Sequence, residues 1–273
     1  MKNTFKRIAL YLGLTFAALT FIYPFLWMAS ASLKPENEIG NLALLSRNFS
    51  FRAYYFVFHQ IPIARAFFNS LFVSTSITLS VLVFSSMVGY ALARLKFIGR
   101  DFVLGLVLMT MMVPGQLTLI PLYVLVVRFG WLNSYQALIA PGMISTTAIL
   151  IFRQFFLGLP QELVDAARMD GCSDRRILFR LFWPLAKPAL ITVGIITFIG
   201  TWNDVLWPLM TIREWKKMTM PQMVTLFQVG GLANAQVAAT MAAAMLLALP
   251  VILAYLFFQR YFIESMALSG IRG

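Results

Sequence analysis

Charge is scarce in this chain, and acid is scarcer. Only 12% of its 273 residues are Asp, Glu, Lys or Arg, and 10 of them are acidic, while 60% are hydrophobic. That balance excludes an ordinary soluble domain and places the chain among membrane proteins. A single cysteine, Cys172, excludes an internal disulfide and says little about redox compartment. A single histidine, His59, excludes a His-rich metal centre and leaves no basis for a Ser/His/Asp set; it reads as an interfacial or loop side chain. No Gly-x-x-x-x-Gly-Lys-Ser/Thr run occurs, so the chain does not hold ATP in a phosphate loop of its own. An energy-driven step must therefore draw on another subunit or on an ion gradient. The net charge of +12 does not mark a nucleic-acid binder, because the basic residues are spread over short loops between apolar runs.

What is present is long apolar runs. A spanning helix needs about 20 apolar residues. Six segments qualify: 8–33, 66–93, 102–127, 129–152, 188–212 and 237–258. Lys2, Lys6 and Arg7 precede the first as in a signal sequence, but the run is long and no clean cleavage site follows, so it reads as an uncleaved span. Residues 34–65 form a polar loop. Pro114 and Pro121 break the third segment, and Asp204 interrupts the fifth. Residues 214–236 form a loop apolar enough to dip back toward the membrane, and 259–273 form a short tail. Six spans put both termini on one side. That side carries fourteen Lys and Arg against eight on the other, which makes it cytoplasmic.

Between the fourth and fifth runs lies the most polar stretch of the chain, residues 158–189, GLPQELVDAARMDGCSDRRILFRLFWPLAKPA. Pro160 suits the first position of a helix, where its missing amide would be unpaired anyway. Glu162 and Asp165 favour the positive helix end. Gly171 is placed to end the helix in a left-handed conformation. Ser173 is a cap for a second helix that Pro184 stops. Leu163, Ala166, Ala167 and Asp170 share one small, nearly flat face. By spacing and composition alone the segment is either a connecting loop or a docking element.

The residues themselves carry a resemblance. DAARMDG, followed by Phe179, Pro184 and Pro188, resembles the EAA loop of ATP-binding-cassette importer permeases. Ala166, Ala167 and Gly171 match that consensus; Asp165 stands for its Glu, and Leu181-Phe182-Trp183-Pro184 departs from its Ile-x-Leu-Pro element. Asp170-Gly171-Cys172 is similar to the Asp-Gly-Ala of sugar permeases. So are Phe68-Asn69-Ser70, Pro114 with Pro121-Leu122, Trp202-Asn203-Asp204 and Trp207-Pro208-Leu209. The ending Ser269-Gly270-Ile271-Arg272-Gly273 resembles the tail of the maltose-type subunit.

The resemblance implies an all-α polytopic fold with six transmembrane helices and a cytoplasmic coupling loop at 158–189. Residues 1–65 would hold the first helix and an extracytoplasmic loop, 66–260 the importer's transmembrane domain, and 261–273 a cytoplasmic tail. The function implied is a permease subunit of a binding-protein-dependent importer, carrying a carbohydrate or polyol-like solute by alternating access. It would not be an enzyme: it would bind no cofactor, and ATP with Mg would be used by a partner. The implied partners are a second homologous permease, two ATPase subunits, an extracytoplasmic solute-binding protein and membrane lipid, in a bacterial or archaeal inner membrane. Asp165, Ala166, Ala167, Arg168, Asp170 and Gly171 would couple to the ATPase, and Gly270, Arg272 and Gly273 would reach it from the tail.

Pathway candidates come from polarity inside spans. Asp204 is the one acid there. Its insertion cost of about 2.5–3.5 kcal/mol requires that it face protein or water. It is either a pathway residue or anchor with Asn203, or, the preferred reading, a carboxylate near the outer interface beside Arg213 and Trp207. Gln116, between two prolines, and Asn69, in the Ser/Thr-rich second span, are further candidates. The hydroxyls of that span read mainly as close-packing groups. A membrane-embedded enzyme would need clustered acids or histidines at membrane depth, which are absent. An ion-coupled carrier using Asp204 is the alternative function.

Overall fold

A computed structural model describes residues 2–40, 44, 48–231, 233 and 236–270, with backbone alone at residues 2, 3, 5, 254 and 258–270. Among them there is no strand. The helices run α1 Lys2–Ala31, α2 Arg52–Gln60, α3 Ile63–Arg94, α4 Arg100–Met112, α5 Gly115–Arg128, α6 Tyr135–Ile139, α7 Thr146–Leu157, α8 Glu162–Met169, α9 Asp174–Arg176, α10 Trp183–Leu185, α11 Lys187–Trp202, α12 Leu206–Thr211, α13 Met220–Val229 and α14 Val237–Gly270. A π-helical segment, Ile177–Phe182, joins α9 to α10.

Four helical stretches are long and apolar enough to cross a membrane: Lys6–Ala31, Ile63–Arg94, Tyr135–Leu157 and Val237–Phe257. Two bent pairs raise the number to six if each is one span: α4 with α5, at 102°, and the α9–α10 stretch with α11, at 87°. The break at Pro114 falls where the sequence places it. Pro121 does not break anything; it lies inside α5, which continues to Arg128. A proline removes one intrahelical bond, and a helix that keeps its other bonds tolerates that. The fifth span is also not one rod: α11 ends at Trp202, and Asn203–Val205 separate it from α12. At the other end, α14 continues through residues 259–270 of the tail.

The chain divides into two compact units. One comprises Met1–Ala64 and Met223–Pro250. In it the Glu36 carboxylate caps the start of α14, accepting from the amides of Val237 (2.6 Å) and Ala238 (3.1 Å). A carboxylate there satisfies unpaired donors and complements the helix dipole. The Ser32 and Tyr54 hydroxyls lie 2.9 Å apart, and the rings of Phe56 and Phe227 meet at 6.3 Å. His59 is exposed on α2, stacked on Tyr55.

The other unit comprises Arg65–Gln222 and Val251–Gly273. Its central element is α3. Gly89 lets α3 approach α7 closely: a Cβ there would stand 2.8 Å from the Phe152 Cβ and 3.0 Å from the Ile149 carbonyl. Phe152, Phe156 and Phe182 are fully buried around Tyr90, with Phe182 edge-on to Tyr90 at 5.2 Å and Phe156 at 6.2 Å. Edge-to-face pairs add about 0.5–1.5 kcal/mol each beyond their burial.

The 214–236 segment, expected from its apolarity to dip back toward the membrane, also places several of its large apolar side chains inside the protein. Met218, Met220, Met223, Val224 and Phe227 are buried in protein. The sequence cannot distinguish those two environments by composition.

Candidate functional site

The polar segment 158–189 folds as two helical limbs about a turn. α8 begins at Glu162; Pro160 lies two residues before it rather than at its first position. The first turn is closed by the Gln161 carbonyl, which accepts from Val164 and Asp165. α8 ends in a Schellman arrangement: the Cys172 amide reaches the Ala167 carbonyl (2.9 Å), and the Gly171 amide reaches Arg168 (3.0 Å). Gly171 has φ +71, the left-handed conformation expected of it. Ser173 occupies the cap position of the second limb, but its side chain makes no capping bond.

Pro184 does not end that limb. The helix widens into the π segment ahead of it and continues to Leu185. A π turn displaces the carbonyl that the proline ring would otherwise strike. The chain turns instead at Ala186, before Lys187-Pro188 open α11.

Three residues of α3, spaced four apart and so on one helix face, hold this segment. Ser86 accepts from the Trp183 indole at 3.1 Å. Tyr90 donates to Asp174 at 3.2 Å. Arg94 donates to the carbonyls of Phe156 and Leu159 and to the Gln161 side chain (2.7 Å), and its guanidinium lies over the Phe182 ring. The Gln161 amide passes the link on to Asp165 at 3.1 Å. Across the turn, Arg168 pairs with Asp174 at 3.0 Å. That bond is the main cause holding the Arg168 guanidinium pKa above its ordinary value.

The face α8 presents differs from the one its small residues suggested. Val164 is fully buried, with Leu163 and Ala167 half-buried beside it. The open side carries Glu162, Asp165, Ala166, Met169 and Asp170, with Met169 85% exposed. The spacing rule placed Leu163, Ala166, Ala167 and Asp170 together, but Val164 is the residue the fold buries, and that turns the stripe half inward. Sequence reasoning passed over Met169; a large apolar residue opposite Val164 was the available signal. It also passed over Ser86, Tyr90, Arg94 and Gln161. Gly270 ends α14, and Arg272 and Gly273 lie outside the described residues.

The pathway candidates do not come together. Asn69 is buried, and its side chain is fully engaged: its amide donates to the carbonyls of Lys216 (3.0 Å) and Met218 (2.9 Å), and its oxygen accepts from Tyr135 (2.8 Å). Beside it the Ser70 hydroxyl accepts from the Met220 amide at 2.7 Å. Gln116 is exposed at the start of α5, and Asn203 is exposed at the end of α11. Asp204 is half-buried, accepts from the Trp207 amide at 3.4 Å and, among the described residues, forms no ion pair with Arg213. It borders a cavity of about 30 Å³ shared with Ser74 and Thr219, whose buried hydroxyls have no partner among the described residues. That space admits water, not a sugar.

Comparisons with known proteins agree with one another. Residues 82–267 match the family described as binding-protein-dependent transport system inner membrane component. The chain is 38% identical to the arabinooligosaccharides transport system permease protein AraQ of Bacillus subtilis, over 98% of this chain and 96% of that one. It is 28% identical to the trehalose/maltose transport system permease protein MalG of Thermococcus litoralis, over 100% and 99%. A solved bacterial ABC transporter involved in import of the acidic polysaccharide alginate has the same fold, with a TM-score of 0.83 at 24% identity over 96% of this chain and 98% of that one. The ion-coupled alternative finds no support among them. With the match covering well over half its length, the chain belongs to the family of inner-membrane permease components of binding-protein-dependent ABC importers.

Proposed function

We propose that this permease carries a carbohydrate or polyol-like solute by alternating access, and that α8 is the element through which a separate ATPase subunit drives it. The relatives named for arabinooligosaccharides and for trehalose and maltose support the solute class. The observation that supports the coupling role is the attachment of α3 at both ends. Its inner end is tied to the two limbs through Ser86, Tyr90 and Arg94, and its outer end holds residues 216–220 through Asn69 and Ser70. A 32-residue helix spans about 48 Å. A displacement of α8 is thus carried along one stiff rod to the opposite face.

In this reading α8 docks on the ATPase by its open side, Glu162, Ala166 and Met169, with Asp165, Arg168, Asp170 and Gly171 setting its shape and charge. In the same reading six spans put both termini and the 158–189 loop on one side, the excess of Lys and Arg there makes it cytoplasmic, and residues 66–260 are the transmembrane domain with 261–273 as the tail. ATP and Mg belong to two ATPase subunits, and a second permease and a solute-binding protein complete the importer.

The test is crosslinking in the assembled complex. Cys172→Ser removes the only cysteine, and Met169→Cys then supplies a single thiol on the open side of α8. A crosslink to the ATPase subunit that changes yield with nucleotide is expected. A thiol labelled only from outside the cell would overturn the topology and the coupling role together.

A further inference from the structure

The turn joining α3 to α4 carries positive charge that nothing else in the described chain meets. Lys96 and Arg100, with Asp101 in the first turn of α4, line a cavity of about 310 Å³. Neither cation has an ion-pair partner among the described residues. The Arg100 Nε is buried and has no hydrogen-bond partner there. Arg94, the next cation back, is already occupied by the carbonyls of Phe156 and Leu159. With Asp101 counted against Lys96 and Arg100, one positive charge is left over.

The helix that follows rests one face on α7 and leaves the other open. α4 buries none of its residues. Phe102 (70% exposed), Leu106 (47%) and Met109 (63%) recur at i, i+4 and i+7 and make one apolar stripe descending from the cationic turn. Ile98, at the tip, is fully exposed. A cationic pocket at a membrane surface, continuous with an apolar stripe at membrane depth, matches one class of molecule at both ends.

We propose that this turn is a binding site for an anionic phospholipid, its phosphate held between Lys96 and Arg100 and an acyl chain lying along Phe102, Leu106 and Met109. The inference rests on α3 and α4 entering the membrane, not on the solute carried. Arginine's planar fork suits a phosphate, and an ammonium adds a point charge beside it. Basic pockets at the cytoplasmic ends of spanning helices recognise lipid headgroups in this way. A soluble phosphate would meet the charge and leave the stripe bare.

The test uses the full importer complex, stripped of lipid in detergent and titrated with phosphatidylglycerol or phosphatidylcholine, with bound lipid counted by native mass spectrometry. The tightest phosphatidylglycerol should bind in preference to phosphatidylcholine. Each cation removed should weaken it about five-fold, so that Lys96→Gln with Arg100→Gln weakens it about 25-fold. Phe102→Ser should weaken both lipids alike. Inorganic phosphate should fail to displace the lipid. Lys96→Gln alone, at a side chain with no bond to lose, decides the matter if the double variant folds poorly. Unchanged phosphatidylglycerol binding in Lys96→Gln, equal binding of the two lipids, or displacement by inorganic phosphate would each overturn the proposal, the last by reassigning the site to a soluble anion.

Discussion

The Tyr90 hydroxyl and the Asp174 carboxylate meet at 3.2 Å, 84 residues apart in the chain. The same carboxylate oxygen accepts from Arg168 at 3.0 Å. One acid therefore joins a spanning helix to both limbs of the turn at Gly171. The aromatic ring below the hydroxyl is packed edge-on against Phe182, so the bond is held at a fixed height in the helix.

Tyr90→Phe removes that bond and keeps the ring. The loss should be about 1 kcal/mol, the usual net value of one hydrogen bond, because Asp174 retains Arg168 and solvent. Insertion and assembly should be normal. Solute-dependent stimulation of ATPase activity should weaken in the purified complex, and basal hydrolysis should not. Stimulation equal to the parent's would show that the Ser86 and Arg94 ties suffice.

Gly89→Ala probes the contact between α3 and α7. The new methyl would meet the Phe152 Cβ and the Ile149 carbonyl inside normal contact distance, and neither is the flexible end of a side chain. Helices would have to separate. Overpacking of this kind costs about 1–3 kcal/mol. Thermal unfolding of the complex in detergent should shift down, and Gly89→Leu should reduce the amount assembled.

Asn69→Leu keeps volume and removes three hydrogen bonds at once. The carbonyls of Lys216 and Met218 and the Tyr135 hydroxyl would lose their partner, at about 1–3 kcal/mol for each group left buried and unpaired. The segment at residues 214–219 should loosen, and tryptic cleavage after Lys216 and Lys217 should accelerate in membranes. Impaired uptake with unchanged cleavage would return Asn69 to the solute pathway.

The punctuation of the 158–189 segment was legible because it depends on local chemistry. Gly171 reads as a helix end since few other residues adopt its conformation, and Pro114 reads as a break since it lacks a donor. What was not legible depends on distant partners. Asn69 is polar in a span whether it faces a solute or latches a loop. Tyr90 and Arg94 end a helix in either case, and only the fold brings them to Asp174 and Gln161. The π segment before Pro184 and the 102° angle at Pro114 also follow from packing, not from the residues at the break.

Asp204→Asn should leave ATP-driven uptake within about two-fold of the parent. The carboxylate accepts a backbone amide at the start of α12, and an amide oxygen does the same at a modest fraction of a typical cap's 0.5–2 kcal/mol. Asp204→Leu removes the acceptor and should lower thermal stability. Abolished uptake by Asp204→Asn in a fully assembled complex would make the charge itself part of transport.

Met169 and Gly171 separate the surface of the proposed coupling element from its shape. Met169 points away from the chain, so Met169→Glu should leave folding and insertion untouched. In the proposed docking it would place a charge on the face offered to the ATPase, and desolvating that charge without a partner is costly. Gly171→Ala acts on shape. No atom lies within 4 Å of the position a Cβ would take, so there is no clash, and the cost is the left-handed backbone alone, about 1–2 kcal/mol. That is enough to loosen the Schellman bonds to Ala167 and Arg168. Met169→Glu should therefore lose ATPase subunits on purification. Gly171→Ala should retain them with reduced solute-stimulated hydrolysis, and Gly171→Leu, which adds bulk beside the docking face, should do both. Subunit retention and stimulated hydrolysis, measured on the same preparations, decide it. A Met169→Glu complex that keeps its ATPase subunits and full stimulation would remove the open side of α8 from the interface.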